Sequence, residues 1–328
     1  MLHLRVTVPA EQAEAVHERL AQTPGVAHLA RLAGASTHPP GDLLLCDLAR
    51  EAGDAVVEWL QDEGVHHRGA ITLDPVATVV SDAAARAESA SPGHGSDALV
   101  WEALEATARD EVTLTPSLLV LMAVASMIAG VGILLDSPIL VVGAMVVGPE
   151  YGPLAALCVV AVRRRWSSLV APVSTLAVAF AIGVAATAAL TVVLRVTEIA
   201  PAGYALSDRE LTAFISRPDG LAAVVAVLAG VAGMLSLTEA RTGTLVGVLV
   251  SVTTIPAIAN IGVAAAYGAA DEVRGAAVQL AVNVVGLLLA GVATLAVQSR
   301  LTARRLADGD GGGDREEVDP EREAPGRT

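Results

Sequence analysis

The sequence predicts an α-helical polytopic membrane bundle of about six spans, preceded by a small N-terminal α+β domain. Three observations lead there. Of 328 residues, 53% are apolar and the mean hydropathy is +0.59, as in multi-pass proteins with soluble extensions. After residue 116 uncharged runs long enough to cross a bilayer recur. Before residue 80 the apolar pattern is instead that of short strands and amphipathic helices. The net charge of -14, with every basic residue an arginine, argues against a nucleic-acid partner.

Residues 1–80 read as the soluble domain. Leu2, Leu4, Val6 and Val8 alternate with His3, Arg5 and Thr7, which marks a half-buried strand. Ala13, Val16 and Leu20 then recur at helical spacing over 10–22. Val26 to Leu32 and Leu43 to Leu48 are two further strands around a loop at 34–42, followed by a helix at 51–63 and a strand at 69–74. This β-α-β-β-α-β order is that of a ferredoxin-like split unit. It resembles regulatory domains of the ACT type, which implies a small metabolite or nucleotide as ligand. His66 and His67 are adjacent on a turn and read as solvated rather than as metal ligands. Cys46 and Cys158 fall in different domains, so no disulfide is expected. No charged segment followed by an apolar run opens the chain, so no signal peptide is expected.

Residues 81–97, rich in Ala, Ser and Gly, read as a linker. Residues 98–115 form an amphipathic or connecting helix through Leu99, Trp101, Leu104 and Ala108. Trp101 sits either at a membrane interface or on a helix packed against the soluble domain. The transmembrane domain occupies 116–300, with spans at 117–135, 138–162, 168–194, 221–237, 243–268 and 275–298. The Gly-rich acidic segment 301–328 reads as disordered. With the N-terminus inside, inner segments carry Arg163, Arg164, Arg165, Arg241, Arg300, Arg304 and Arg305, against Arg195, Arg209, Arg217 and Arg274 outside. The positive-inside rule then places both termini in the cytoplasm of a cell-membrane protein.

The second span is interrupted by Gly148, Pro149, Gly152 and Pro153, with Glu150 and Tyr151 at the interruption. Proline removes a donor and clashes with the preceding turn, so two half-helices are expected rather than one rod. Glu150 is the one acidic or basic residue within the six spans. A carboxyl at that depth costs several kcal/mol unless it is paired, protonated or hydrated. The last three spans echo the first three. Ser126 to Leu135 resembles Gly230 to Leu237, and Val142-Gly143 resembles Val246-Gly247, which brings the first interruption opposite Pro256. Two three-span halves in opposite orientation form the inverted repeat of many secondary transporters, with substrate held where two broken helices meet.

Polar residues in the spans are few. Thr253, Thr254 and Asn260 surround Pro256, and Gln279 and Asn283 share one face of the last span. Together with Glu150 and Tyr151 they are the candidate binding set for a proton, a cation or a small polar solute. The plainer readings are interhelical hydrogen bonding for Gln279 and Asn283, and backbone satisfaction for Ser251, Thr253 and Thr254. For Glu150 the plainer reading is a helix cap. No phosphate-binding loop, nucleophile elbow or zinc motif is present, so no enzyme chemistry is predicted, and any cofactor is unknown from the sequence.

Gly143-Ala-Met-Val-Val-Gly-Pro-Glu-Tyr-Gly-Pro153, Ser216-Arg-Pro-Asp-Gly220, Gly230-Val-Ala-Gly-Met-Leu-Ser-Leu237 and Ser251-Val-Thr-Thr-Ile-Pro256 resemble a prokaryotic membrane family. It is domain of unknown function 389, an uncharacterised hydrophobic domain. The resemblance covers roughly residues 98–300. It implies a multi-pass integral membrane protein and no reaction.

The expected function is binding or transport of a small solute or ion at paired broken helices, regulated through the soluble domain. The alternative is a membrane-anchored ligand sensor or assembly module without transport. Small-residue helix faces and strand edges lead us to expect a homo-oligomer.

Overall fold

A computed structural model describes residues 1–76, 78–91, 101, 104, 105, 108, 112–201, 203, 211, 212, 215, 220–238 and 244–310, with side chains described at 254–301 of the last stretch. The chain divides into two compact units, residues 1–99 with 298–328, and residues 100–297.

In the first unit, β1 (Leu2–Val8), β2 (Val26–Thr37), β3 (Pro40–Leu48) and β4 (Ala70–Pro75) form one sheet in the order β2-β3-β1-β4. All neighbouring strands are antiparallel. The alternation read from β1 is realised, with Leu2, Leu4, Val6 and Val8 all buried. Helix α1 (Ala10–Gln22) buries Ala13, Val16 and Leu20, and α2 (Arg50–Asp62) buries Val56, Val57 and Leu60. A four-residue helix, α3 (Val65–Arg68), leads into β4.

The expected loop at 34–42 is largely strand, because the β2-β3 hairpin extends to Thr37 and Pro40. Gly34 has φ +62 and its N–H donates to Asp42 Oδ1 at 2.9 Å. Arg31 Nε donates to Asp42 Oδ2 at 2.8 Å. The Gly34 N–H and the Arg31 guanidinium hold the Asp42 carboxyl below its ordinary value.

Residues 82–90 are not linker. They form α4 (Asp82–Ala90), whose N-cap Ser81 accepts from the N–H groups of Ala83 and Ala84. Ala84 and Ala87 are buried, and the helix packs on β2. Alanine spaced by three made an apolar stripe that a composition-based linker reading overlooked. The expected helix start at Ser96 or Asp97 lies outside the described residues.

Cys46 lies buried on β3, where burial, reinforced by Asp47, pushes its thiol up to about 12. The thiolate is the reactive form, and Cys158 is buried too. Iodoacetamide at mildly alkaline pH is therefore expected to leave the native chain unlabelled and to add two groups after denaturation, read by intact mass.

The second unit is built from α5 (Pro116–Leu134), α6 (Pro138–Val147), α7 (Tyr151–Val162), α8 (Val170–Val196), α9 (Gly220–Thr238), α10 (Thr244–Tyr267) and the part up to Val297 of α11 (Ala270–Asp310). Thr115 caps α5 by accepting from Leu118 N–H, and Pro116 opens the helix where no donor is needed. Among the described residues, four helices are long and apolar enough to cross a membrane, and five if α6 and α7, bent by 59°, count as one span. Within α10 the described apolar part is Thr254–Tyr267.

Large apolar side chains point outward, including Ile139 (84% exposed) and Leu289 (68%). Small residues pack inward instead. A Cβ on Gly130 of α5 would meet Thr187 of α8 at 2.6 Å, and one on Gly183 of α8 would meet Ser126 of α5 at 2.6 Å. Likewise a Cβ on Gly230 of α9 would meet the carbonyl oxygen of Leu287 in α11 at 2.5 Å. An apolar exterior over a glycine-lined interior is the pattern of helices packed in lipid. Trp101, Leu104 and Ala108 are buried within this unit. Arg163 lies over the Trp101 ring at 5.3 Å.

Candidate functional site

The α6–α7 break fills residues 148–150, between Val147 and Tyr151. Gly148 and Pro149 stand in the gap, whereas Gly152 and Pro153 lie inside the first turn of α7. Proline there lacks only a donor that a helix start leaves unused. The expected second interruption at Pro256 is absent, since α10 runs unbroken from Thr244 to Tyr267 with Pro256 inside it. Neighbouring helices can satisfy the backbone groups that such a proline frees, so a proline alone does not open a gap. In the second span Gly148 precedes Pro149 directly, and α10 has no glycine next to its proline. The expected pair of broken helices is therefore one broken helix against one continuous helix.

The two proline sites nevertheless meet. Glu150 is 1% exposed, and its Oε1 accepts from Thr254 Oγ1 of α10 at 2.6 Å. A Cβ on Gly148 would meet Glu150 Oε2 at 2.5 Å and Ile255 Cγ1 at 2.9 Å. Only glycine lets the broken strand of backbone lie this close to the carboxyl and to α10. Glu150 occupies the N-cap position of α7, yet its side chain makes no capping hydrogen bond. The carboxyl thus reaches across to α10 rather than serving as a plain cap. At an N-terminus the helix dipole favours negative charge.

The other candidates divide. Tyr151 OH donates to the Gly233 carbonyl of α9 at 2.7 Å, tying the break to a third helix. Thr254 is fully buried, and Asn260 is buried six residues further along α10, about 9 Å away along the axis. Gln279 Nε2 donates to Asn283 Oδ1 at 3.1 Å, both side chains being buried in α11. Val284, next to Asn283, packs in the same apolar cluster as Tyr151. Gln279 Oε1 is buried and has no hydrogen-bond partner among the described residues. Ser251 and Thr253 lie on α10, with side chains outside the described residues. Arg217 and Arg241, counted above for orientation, lie outside the described residues.

Two features escaped the sequence reading. Asp136, with φ +48 in the turn between α5 and α6, accepts from Leu211 N–H, Thr212 N–H and Thr212 Oγ1 at 3.2, 2.9 and 2.8 Å. This clasp holds Thr212 and Ile215 buried, and Ile215 joins the apolar cluster of Met122, Val141 and Ile255. An aspartate in a tight turn is a signal for left-handed backbone, but nothing local names a partner 75 residues away. At the opposite end of the bent pair, Glu105 accepts from Arg163 Nε at 2.9 Å and Arg165 Nη1 at 2.6 Å.

Apolar helices of this length, with lipid-type packing and a buried acid at a helix break, define a membrane protein. Residues 145–289 match the model of a family described as Domain of unknown function (DUF389), the family that the motifs resemble. The match encloses Glu150, Tyr151, Thr254, Asn260, Gln279 and Asn283. No curated protein matches the chain. No solved structure matches it either.

Proposed function

We propose that this protein binds a proton or a small cation at Glu150 and Thr254, and passes it across a cell membrane. The observation that carries this reading is the buried Glu150–Thr254 hydrogen bond, which joins the α6–α7 break to the proline-containing turn of α10. Broken backbone within a membrane is tolerated only where it is covered by protein or lines a polar cavity. Intramembrane acids mark ion and proton paths. On this reading the 1% exposure of Glu150 corresponds to an occluded state. Tyr151 ties the break to α9.

In this reading α10 completes a sixth span and both termini are cytoplasmic. The N-terminal unit, whose strand order β2-β3-β1-β4 matches that of a ferredoxin-like sheet, binds a small metabolite or nucleotide that regulates the bundle. The assembly is a homo-oligomer. The full enclosure of Glu150 favours a second reading, a ligand sensor without transport. Purified protein in vesicles decides between them. Vesicles loaded with a pH-sensitive or sodium-sensitive dye are expected to lose an imposed gradient faster than protein-free vesicles. Equal decay for both ions removes the transport reading and leaves the sensor.

A further inference from the structure

The end of the second unit near Arg163 holds a cavity that the Glu150 site does not use. Its volume is about 460 Å³, within the ~300–1,000 Å³ typical of small-molecule sites. Ala108, Val112, Val159, Val160, Ala171 and Pro172 make its walls apolar. Arg163, Arg165, Ser167, Ser168 and Glu105 supply its polar groups. The lining differs in exposure from floor to mouth. Ala156 and Val159 are 3% and 2% exposed at the floor, whereas Val170 and the Arg165 side chain are 74% and 51% exposed at the mouth. The cavity is therefore amphipathic, greasy within and cationic at the rim. Trp166, largely exposed beside it, is the residue type that settles at the lipid–water boundary.

An anion already occupies the rim. The Glu105 carboxylate takes one hydrogen bond from each of Arg163 and Arg165. A guanidinium carries five N–H donors, so each arginine retains donors for a further anion. Among the described residues of the lining, Arg163 and Arg165 stand against this one carboxylate. Arginine forks match phosphate oxygens in geometry and charge.

We propose that this cavity holds one acyl chain of an anionic phospholipid, with the lipid phosphate on Arg163 and Arg165 in competition with Glu105. The apolar walls select a chain rather than free phosphate. The arginines select a headgroup without a cation of its own, because choline would set like charge beside the guanidinium groups.

The test uses the full chain in nanodiscs of phosphatidylcholine and phosphatidylglycerol at equal fractions, with retained lipid counted by native mass spectrometry. Wild type is expected to retain phosphatidylglycerol over phosphatidylcholine by about thirtyfold, the scale of two interfacial arginines. Arg163→Gln with Arg165→Gln is expected to abolish that preference, and Glu105→Gln to raise it. Ala171→Phe, which fills the cavity from an exposed position and leaves the arginines in place, is expected to lose the retained lipid. Equal retention of both lipids by wild type overturns the proposal. So does an unchanged preference in the arginine variant, or binding of inorganic phosphate alone that survives Ala171→Phe.

Discussion

Glu150→Gln is expected to abolish proton movement through the protein while leaving the bundle folded. Glutamine keeps the volume and the Oε1 acceptor, so the hydrogen bond from Thr254 Oγ1, 2.6 Å long in the wild type, persists. What disappears is the ability to gain and release a proton. Dye-loaded vesicles carrying the variant should leak protons no faster than protein-free ones. In infrared difference spectra between acidic and alkaline samples, the carbonyl band of a protonated carboxyl in an apolar setting should vanish. Thr254→Val provides the companion result. It preserves shape, removes the donor, and should weaken the flux without erasing the carbonyl band. Unchanged flux in Glu150→Gln would remove the carboxyl from the mechanism.

Gly262→Ala is expected to destabilise the bundle more than any equally small change on the helix surfaces. Gly262 lies on α10 against α8. Its added methyl would meet the Val184 carbonyl oxygen at 2.7 Å, Thr187 Cβ at 2.8 Å and Ala188 N at 3.1 Å. Two of these atoms are backbone, which cannot rotate away, so the helices must separate. Overpacking of this kind costs about 1–3 kcal/mol, and here the upper end is expected. Gly143→Ala should have the opposite sign. Its methyl meets nothing within 4 Å, and alanine in a helix interior is favoured over glycine by about 0.8–1 kcal/mol. Thermal unfolding followed by size-exclusion chromatography in detergent checks both. Equal behaviour of the two variants would show that close approach at Gly262 does not hold the helices together.

The comparison of sequence with structure divides along a physical line. Elements whose pattern is local were legible. Alternation at Leu2 to Val8 named β1, and helical spacing at Ala13, Val16 and Leu20 named α1. The break at Gly148 and Pro149 was legible because glycine and proline together remove both side-chain packing and a donor. At Pro256 the proline signal stood alone, and tertiary packing carried the helix through it. Glu150 and Thr254 could each be named as polar residues at a proline, and the resemblance between the two halves put them opposite one another. The Asp136 clasp and the Glu105 bridge could not be read, because in each a charged residue meets a partner 58 or more positions away with no periodicity between them. Residues 82–90 were missed because alanine serves equally in a flexible segment and in a shallow helix face.

Asp136 ties the turn between α5 and α6 to the chain that enters α9. Its three hydrogen bonds hold a stretch about 75 residues further along the chain, so one short side chain anchors the approach to α9.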